Sequence, residues 1–138
     1  MPLYVLDTDH LTLIQRGDVK VSARYLSTPR DDKVASVISY EEQVRGRLAQ
    51  ISQAKAPARA CAAYALLCKT QSFYCTLRLL EFDGEAARIY ESLKQIHRRS
   101  SRKDLQIAAT ALAHDLTLVT RNTQDFASIA NLRLDNWA

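Results

Sequence analysis

The chain has 138 residues, of which 47% are hydrophobic and 25% are charged. These values exclude a disordered or low-complexity protein and predict a single domain over residues 1–138 with its own core. No apolar run approaches the length of a membrane span, and residues 1–3 carry no basic region typical of a signal peptide, so we expect a cytoplasmic protein with no membrane contact. The net charge of +4 does not by itself establish a polyanionic partner.

The first predicted strand covers residues 3–6, a short apolar run that is typical of a covered strand in a parallel sheet. Asp7, Thr8 and Asp9 follow it directly. A carboxylate in this place lies at the carboxyl edge of the sheet, where open α/β sheets bind ligands. The alternative is that Asp7 caps the next helix, and for one aspartate alone the capping interpretation is favoured.

The next elements are predicted as a helix over residues 10–17 that Gly17 ends, a helical piece over 18–26, a turn over 28–32 and a second strand over 34–38. A helix then runs to about residue 54. Its Ser39-x-x-Glu42 spacing fits a capping box, which would give Glu42 a purely structural role. Glu41 shares a face with larger apolar residues and Glu42 shares a face with small ones, so periodicity alone does not choose between the two acids.

A helix over residues 57–72 and a strand over 76–82 follow, and Asp83 is predicted to cap the next helix. Three cysteines lie seven residues apart, which is too far apart for a typical zinc site, and we expect buried thiols in a reducing cytoplasm. They are Cys61, Cys68 and Cys75.

The helix after Asp83 ends in a run of cations, from residue 93 to 103, that contains no acid. The run is either a solvated helix end or a rim that faces phosphates. Ser101 and Asp104 form a second possible capping box. Asp104 also shares a face with the apolar residues that follow it, so it stands at the start of an inward stripe.

A fourth strand is predicted over residues 116–120, with Asn122 and Asp125 just beyond it, and a short edge strand over 132–134 precedes a packed Trp137. Strands that alternate with helices predict a three-layer α/β/α sandwich with a central, mainly parallel sheet of four to five strands. Asp7, Glu42 and Asn122 or Asp125 would then gather at one sheet edge. Asp104 joins them only if its helix lies across that edge.

At these residues the chain resembles a PIN domain, and in particular the VapC-type ribonuclease toxins. Leu6-Asp7-Thr8-Asp9 resembles the family's opening L-D-T-N, residues 36–46 resemble its second motif, and residues 104–109 with 118–126 resemble its most specific block. The second motif places the family acid four residues before its glycine, which selects Glu42. The ending, residues 132–137, is also similar, so the resemblance covers nearly the whole chain.

Two single residues and one four-residue stretch depart from the family pattern. Asp9 replaces the commoner Asn and adds a charge near the predicted site. Residues 100–103 replace the usual glycine- and proline-containing stretch before the third acid. Asn122 stands at the fourth acidic position, which leaves open whether Asp125 substitutes for it.

The resemblance implies an endoribonuclease that depends on Mg²⁺, or on Mn²⁺, and hydrolyses RNA with a metal-activated water. It implies that Asp7, Glu42 and Asp104 are the catalytic and metal-binding residues. Residues implied as further acids or as supports of the site are Asp9, Asn122, Asp125, Thr8 and Thr120. Residues implied to contact the RNA backbone are Arg98, Arg99, Arg102, Lys103 and Arg45.

The resemblance further implies a homodimer, a structured RNA substrate and a small VapB-like antitoxin. Two other readings remain open. Asp7-x-Asp9 is similar to the nucleophile motif of haloacid-dehalogenase phosphatases, although Leu11 stands where that motif has Thr or Val. A catalytically degenerate PIN-like module that binds RNA or protein is the non-enzymatic alternative.

Overall fold

A computed structural model describes residues 2–138. Within this range the chain forms five short parallel strands, seven α-helices and one 3-10 turn at Arg30–Asp32. The strands are β1 (Tyr4–Leu6), β2 (Lys33–Ser36), β3 (Arg78–Leu80), β4 (Thr117–Val119) and β5 (Leu134–Asp135). The helices are α1 (Thr8–Gln15), α2 (Val19–Ser27), α3 (Val37–Gln53), α4 (Pro57–Tyr74), α5 (Gly84–Ile96), α6 (Arg102–Ala113) and α7 (Thr123–Phe126).

The central sheet has the strand order β3-β2-β1-β4-β5. The first strand is its middle strand, and Leu6 pairs in register with Ala35 on one side and Val119 on the other. Residues that follow β1, β2 and β4 therefore leave the sheet at the same carboxyl edge.

Alternate residues of the strands pack on opposite faces of the sheet, as the two-residue period of a strand requires. Val5, Val34 and Leu118 belong to a core cluster with residues of α5 and α6. Leu6 and Val119 belong to a second cluster with residues of α1 and α4. Helices thus cover both faces, which confirms the predicted three-layer α/β/α sandwich.

Two helices next to the candidate site, α1 and α3, begin at other residues than predicted. Helix α1 begins at Thr8 rather than at residue 10, because the Asp7 carboxylate accepts a hydrogen bond from the His10 backbone N–H at 2.8 Å. Gly17, with φ of +79°, follows the helix end as predicted.

Helix α3 begins at Val37, because Ser36 is its N-cap and accepts from the Ile38 backbone N–H at 3.0 Å. The predicted strand to residue 38 is too long, and the predicted capping box from Ser39 to Glu42 is wrong. Glu42 therefore lies inside the helix and has no capping role.

The remaining boundaries differ by a few residues. The third strand is limited to Arg78–Leu80, the fourth is shorter at each end than predicted, and the last lies at Leu134–Asp135. The predicted caps Asp83 and Ser101 are both present, and Trp137 is 3% exposed.

The three cysteines are exposed, so the prediction of buried thiols is wrong. Helix α4 buries Ala63, Thr70 and Tyr74. Cys61 and Cys68 have the same seven-residue spacing but lie two residues earlier, which places them on the opposite side of the helix. In the described part of the chain no helix is both long and apolar enough to cross a membrane.

Candidate active site

Asp7 is both a helix cap and a carboxylate at the sheet edge, which the sequence presented as alternatives. Its backbone N–H donates to Val119 O at 3.0 Å, which continues the ladder between β1 and β4. Its side chain caps α1 through Oδ1. The residue is 7% exposed and stands at the carboxyl edge of the central strand, so a structural cap and an acid at the ligand-binding edge are the same side chain.

Asp104 comes to this edge from the first turn of α6. It lines a cleft of about 300 Å³ whose other lining residues are Arg99, Ser100, Ser101, Leu105, Asp125, Phe126 and Ile129. Burial raises the pKa of Asp104, and the neighbouring carboxylates of Asp125 and Asp7 raise that pKa further. The start of α6 therefore lies near the sheet edge, and the Asp104 carboxylate is close enough to those of Asp125 and Asp7 to be repelled by each of them.

Glu42 is hydrogen-bonded to Thr8, the residue that follows Asp7. The Thr8 hydroxyl donates to Glu42 Oε1 at 2.8 Å and lies 2.9 Å from Ser39 Oγ. Because the Thr8 hydroxyl has one proton and the carboxylate only accepts, Ser39 is the donor to Thr8. This chain of bonds holds the first turn of α1 against α3.

Glu41 faces other partners. It forms an ion pair with Arg45 at 2.6 Å and another with Lys103 across to α6. The hydrogen bond from Lys103 lowers the pKa of Glu41. Glu41 thus connects α3 to α6, and the geometry favours Glu42 as the acid of the site.

Asp7, Glu42 and Asp104 do not form a compact three-ligand group. Residues 2–138 contain no cluster of three or more His, Cys, Asp or Glu side chains arranged to hold one metal ion. What the structure brings together is Asp7 and Asp104, with Asp125 beside Asp104. Glu42 stands next to them through Thr8.

The other predicted supports are distributed around this edge. Asn122 is exposed, and its backbone N–H donates to the buried Thr120 hydroxyl at 3.0 Å. The Thr120 hydroxyl therefore stabilises the turn after β4, and within residues 2–138 no hydrogen bond joins it to a carboxylate. Asp9 accepts two hydrogen bonds from Arg121, at 2.5 and 3.0 Å, so the charge that Asp9 adds is paired with a cation from the end of β4.

The predicted RNA-contacting cations fall into two groups. Lys103 and Arg45 are both paired with Glu41. Arg98, Arg99 and Arg102 form no ion pair within the described range and are exposed. Arg99 lines the acidic cleft, and the other two line an adjoining cavity of about 480 Å³ that also contains Tyr90, Lys94 and His97. The two cavities share Ser100 and Leu105.

Two residues of this region were missed from the sequence. His10 is fully buried and contacts Asp7, and the available signal was its place three residues after Asp7, one helical turn along. Arg121 pairs with Asp9, and the signal was its place directly after a predicted strand whose end lies at the site.

Comparisons with known proteins identify the family and the fold of this chain. The model of the family described as PIN domain matches residues 4–132. The chain is 27% identical over 138 residues to ribonuclease VapC1 of Haemophilus influenzae strain R2866, with 98% of each chain covered. It is 33% identical over 73 residues to ribonuclease VapC2 of Rickettsia felis, an alignment that spans 50% of this chain and 54% of that relative.

The fold is also similar to a solved structure. The crystal structure of VapBC2 from Rickettsia felis bound to a DNA fragment from their promoter matches with a TM-score of 0.77 and 24% identity, and covers 99% of both chains. That similarity concerns the fold, whereas the family match extends over most of the sequence. The chain belongs to the PIN domain family.

Proposed function

We propose that this protein is an endoribonuclease that depends on Mg²⁺ and acts as the toxin of a VapBC-type toxin–antitoxin system. The observation that carries the proposal is that Asp104 and Asp125 line one cleft and that the Asp7 carboxylate, at the end of the central strand, is near enough to raise the pKa of Asp104. The relatives named ribonuclease VapC support it.

The residues present fit a hard divalent cation. All donors are carboxylate oxygens, and Mg²⁺ is usually held by one or two carboxylates, with water and substrate phosphate as its other ligands. Asp7 and Asp104 meet that requirement without a three-acid cluster, and their mutual repulsion would be relieved by a positive charge. Mn²⁺ would suit the same oxygens.

When bound, such a cation would lower the pKa of a bound water and offset the charge that develops on the phosphate. The chain's own residues do the positioning. Asp7 is held by the first turn of α1, and Glu42 is oriented by Thr8. Glu42 and Asp125 are further acceptors beside the pair, and either can take a proton during hydrolysis.

The RNA would lie along the adjoining cavities, with its phosphates near Arg98, Arg99 and Arg102. These guanidinium groups have no ion-pair partner within residues 2–138, so no internal pair has to be broken when they contact RNA. Lys103 and Arg45 would contribute less because each is paired with Glu41.

We also propose a VapB-like antitoxin as protein partner and a homodimer as the assembly. The similar Rickettsia felis structure is of VapBC2, and the sequence resemblance implies the same pairing. Neither partner is needed for the chemistry described above, so the nuclease proposal can be tested on the isolated chain.

The test is cleavage of total cellular RNA by the purified protein, with Mg²⁺ and with EDTA, for the parent and for Asp7→Asn. Asn is as good a helix cap as Asp, and its amide oxygen can accept the same bond from His10, so this variant changes the charge and leaves α1 capped. We expect discrete cuts that EDTA abolishes and that fall at least about 100-fold in the variant, which is the usual scale for loss of a group that stabilises the transition state.

Asp31→Asn, at an exposed aspartate of the 3-10 turn, is the matched control and should cut RNA like the parent. Cutting that continues in EDTA or in a folded Asp7→Asn protein would contradict the proposal. RNA binding without cutting under any divalent cation would instead support the degenerate binding module.

A further inference from the structure

His10 is a fully buried imidazole whose two ring nitrogens both have partners. Its Nδ1 lies 3.1 Å from Asp7 Oδ1, and its Nε2 accepts a hydrogen bond from the Trp137 backbone N–H at 3.2 Å. The residue therefore bridges the acid at the end of the central strand and the C-terminal segment of the chain, 127 residues away in sequence.

The contact with Trp137 determines where the imidazole proton is. A backbone N–H can only donate, so the Nε2 that receives it carries no proton. A neutral imidazole has its one proton on the other nitrogen, so the Nδ1–H donates to Asp7 Oδ1. If both ring nitrogens carried a proton, the Nε2–H of His10 and the backbone N–H of Trp137 would be two donors facing each other.

In this tautomer the two carboxylate oxygens of Asp7 differ in their hydrogen bonds. Oδ1 accepts from the His10 backbone N–H at 2.8 Å and from the His10 ring. Within residues 2–138, Oδ2 has no hydrogen bond. One oxygen is thus committed to the interior, and the other remains available as a ligand.

The Trp137 backbone that fixes the imidazole is itself fixed by several contacts. The indole N–H donates to Asp135 Oδ2 at 3.1 Å, and the ring meets Tyr4 edge-on at 5.3 Å between centroids. The Arg24 guanidinium lies 5.1 Å from the centre of the indole ring and 3.5 Å from Asp135. The end of β5, helix α2 and the first strand therefore hold the acceptor side of His10 in place.

We propose that His10 is a positioning residue, held as the Nδ1–H tautomer by the C-terminal segment, that fixes the Asp7 carboxylate so that Oδ2 would be available to bind a divalent cation. The effect on the cation rests on the proposed function, whereas the tautomer and its two bonds do not. Groups that hydrogen-bond to a metal-binding side chain commonly set its orientation, and their loss typically costs about 10–100-fold in metal affinity.

Two substitutions test separately the hydrogen bonds that the two ring nitrogens of His10 form. His10→Asn places an amide N–H where Nδ1 was and keeps the donor to Asp7, but it loses the acceptor for Trp137. His10→Gln reaches the position of Nε2 and keeps that acceptor, but it loses the donor to Asp7. His114→Gln is the control, because His114 lies at the far end of α6 with Asp83 as its neighbour.

The readout is the dissociation constant for Mn²⁺, measured by electron paramagnetic resonance on the full chain, with thermal unfolding in EDTA beside it. We expect His10→Gln to weaken Mn²⁺ binding about 10–100-fold, His10→Asn to restore most of that affinity, and His114→Gln to leave it unchanged. A folded His10→Gln protein with parental Mn²⁺ affinity would overturn the proposal. So would affinities that follow thermal stability alone in both His10 variants.

Nitrogen NMR of the parent tests the tautomer without any substitution. We expect the His10 ring to show a protonated Nδ1 and an unprotonated Nε2 at neutral pH, and the opposite tautomer or an imidazolium overturns the proposal. RNA cleavage that depends on Asp7, together with the wrong tautomer, would refute this inference and leave the proposed function standing. A parent that binds no Mn²⁺ would refute the role toward the cation together with the proposed function, and the NMR result would still decide the tautomer.

Discussion

At the scale of single residues, the acids proposed for the site also have structural roles. Asp7 caps α1 and is also the acid of the central strand, and Glu42 is held by Thr8 rather than by a cap of its own. An effect of mutating Asp7 on activity is therefore informative only when the cap is preserved, which is the reason for choosing Asn over Ala. Loss of the cap alone would cost about 1 kcal/mol of folding free energy.

Asp104 gives a pH-dependent prediction at the same scale. Its pKa is raised in the folded protein, first by burial and then by Asp125 and Asp7. Between the ordinary aspartate pKa of about 4 and the raised value, the folded state binds more protons than the unfolded state, so stability falls as pH rises through that window. Above the window the parent carries the full cost of the ionised carboxylate.

Replacing Asp104 with Asn removes this cost. In EDTA we expect Asp104→Asn to unfold at a higher temperature than the parent at pH 7, with the difference shrinking as the pH is lowered toward the ordinary aspartate pKa of about 4. Thermal unfolding across that pH range measures it, with Asp31→Asn as the exposed control. A variant that is less stable than the parent at pH 7 would show that Asp104 is favourably paired rather than repelled.

At the scale of the elements, a buried polar network positions the helices beneath the site. Gln43, which follows Glu42 on α3, accepts from Tyr74 and from Gln15 at 2.8 Å, and its amide donates to Thr12 at 2.9 Å. These contacts connect α3 to α4 and to α1. Burial raises the pKa of Tyr74, as expected for a phenol that stays protonated and donates.

We therefore expect Gln43→Leu to destabilise the fold by about 1–3 kcal/mol, because it leaves the buried Tyr74 hydroxyl without an acceptor. Denaturant unfolding monitored by circular dichroism measures the change. Gln53→Leu at the exposed end of the same helix is the control and should change stability by less than about 0.5 kcal/mol. Equal effects of the two substitutions would mean that the network contributes nothing specific.

The sequence predicted the order and type of these elements because each strand is a short apolar run and each helix has a periodic face. The sequence prediction was wrong where one local pattern was compatible with two structures. Ser39 and Ser36 are both plausible caps, and only the pairing of Ser36 with Leu80 in the sheet shows that β2 ends there. Cys61 and Cys68 share the spacing of the buried stripe of α4, but which side of the helix is buried depends on its packing against other elements, α3 above all.

The acids proposed for the site were predicted from their places after strands and from the family resemblance, and Thr8 was predicted as a support, whereas His10 and Arg121 were not predicted. The bond from Trp137 to His10 spans nearly the whole sequence, and the pairs Asp9–Arg121 and Glu41–Lys103 also join distant segments. No local pattern contains such contacts. They are determined by strand order and by how helices lie on the sheet.

At the scale of the whole molecule, the predicted RNA-contacting cations are of two kinds: those paired with Glu41 and those with no ion pair in the described range. We expect the triple substitution of Arg98, Arg99 and Arg102 by Gln to weaken RNA binding and to reduce the slope of log K against log salt by about 2, since each lost phosphate contact to single-stranded RNA removes about 0.7. Filter binding at several salt concentrations, with the Asp7→Asn protein as background to prevent cleavage, measures this slope.

The control removes cations that are already paired. The double variant Arg45→Gln and Lys103→Gln deletes two positive charges that Glu41 holds, so its salt slope should stay close to that of the background protein. A larger change in the double variant than in the triple variant would place the RNA across α3 and contradict the proposed path along the two cavities.

We propose that Asp7 and Asp104 together hold a divalent cation at the carboxyl edge of the sheet. The most direct test is crystallography of the full chain in Mn²⁺, with anomalous diffraction to locate the ion. We predict one strong anomalous peak within ligand distance of an oxygen of Asp7 and an oxygen of Asp104. A peak that contacts neither residue, or no peak at Mn²⁺ concentrations that support RNA cleavage, would contradict the account.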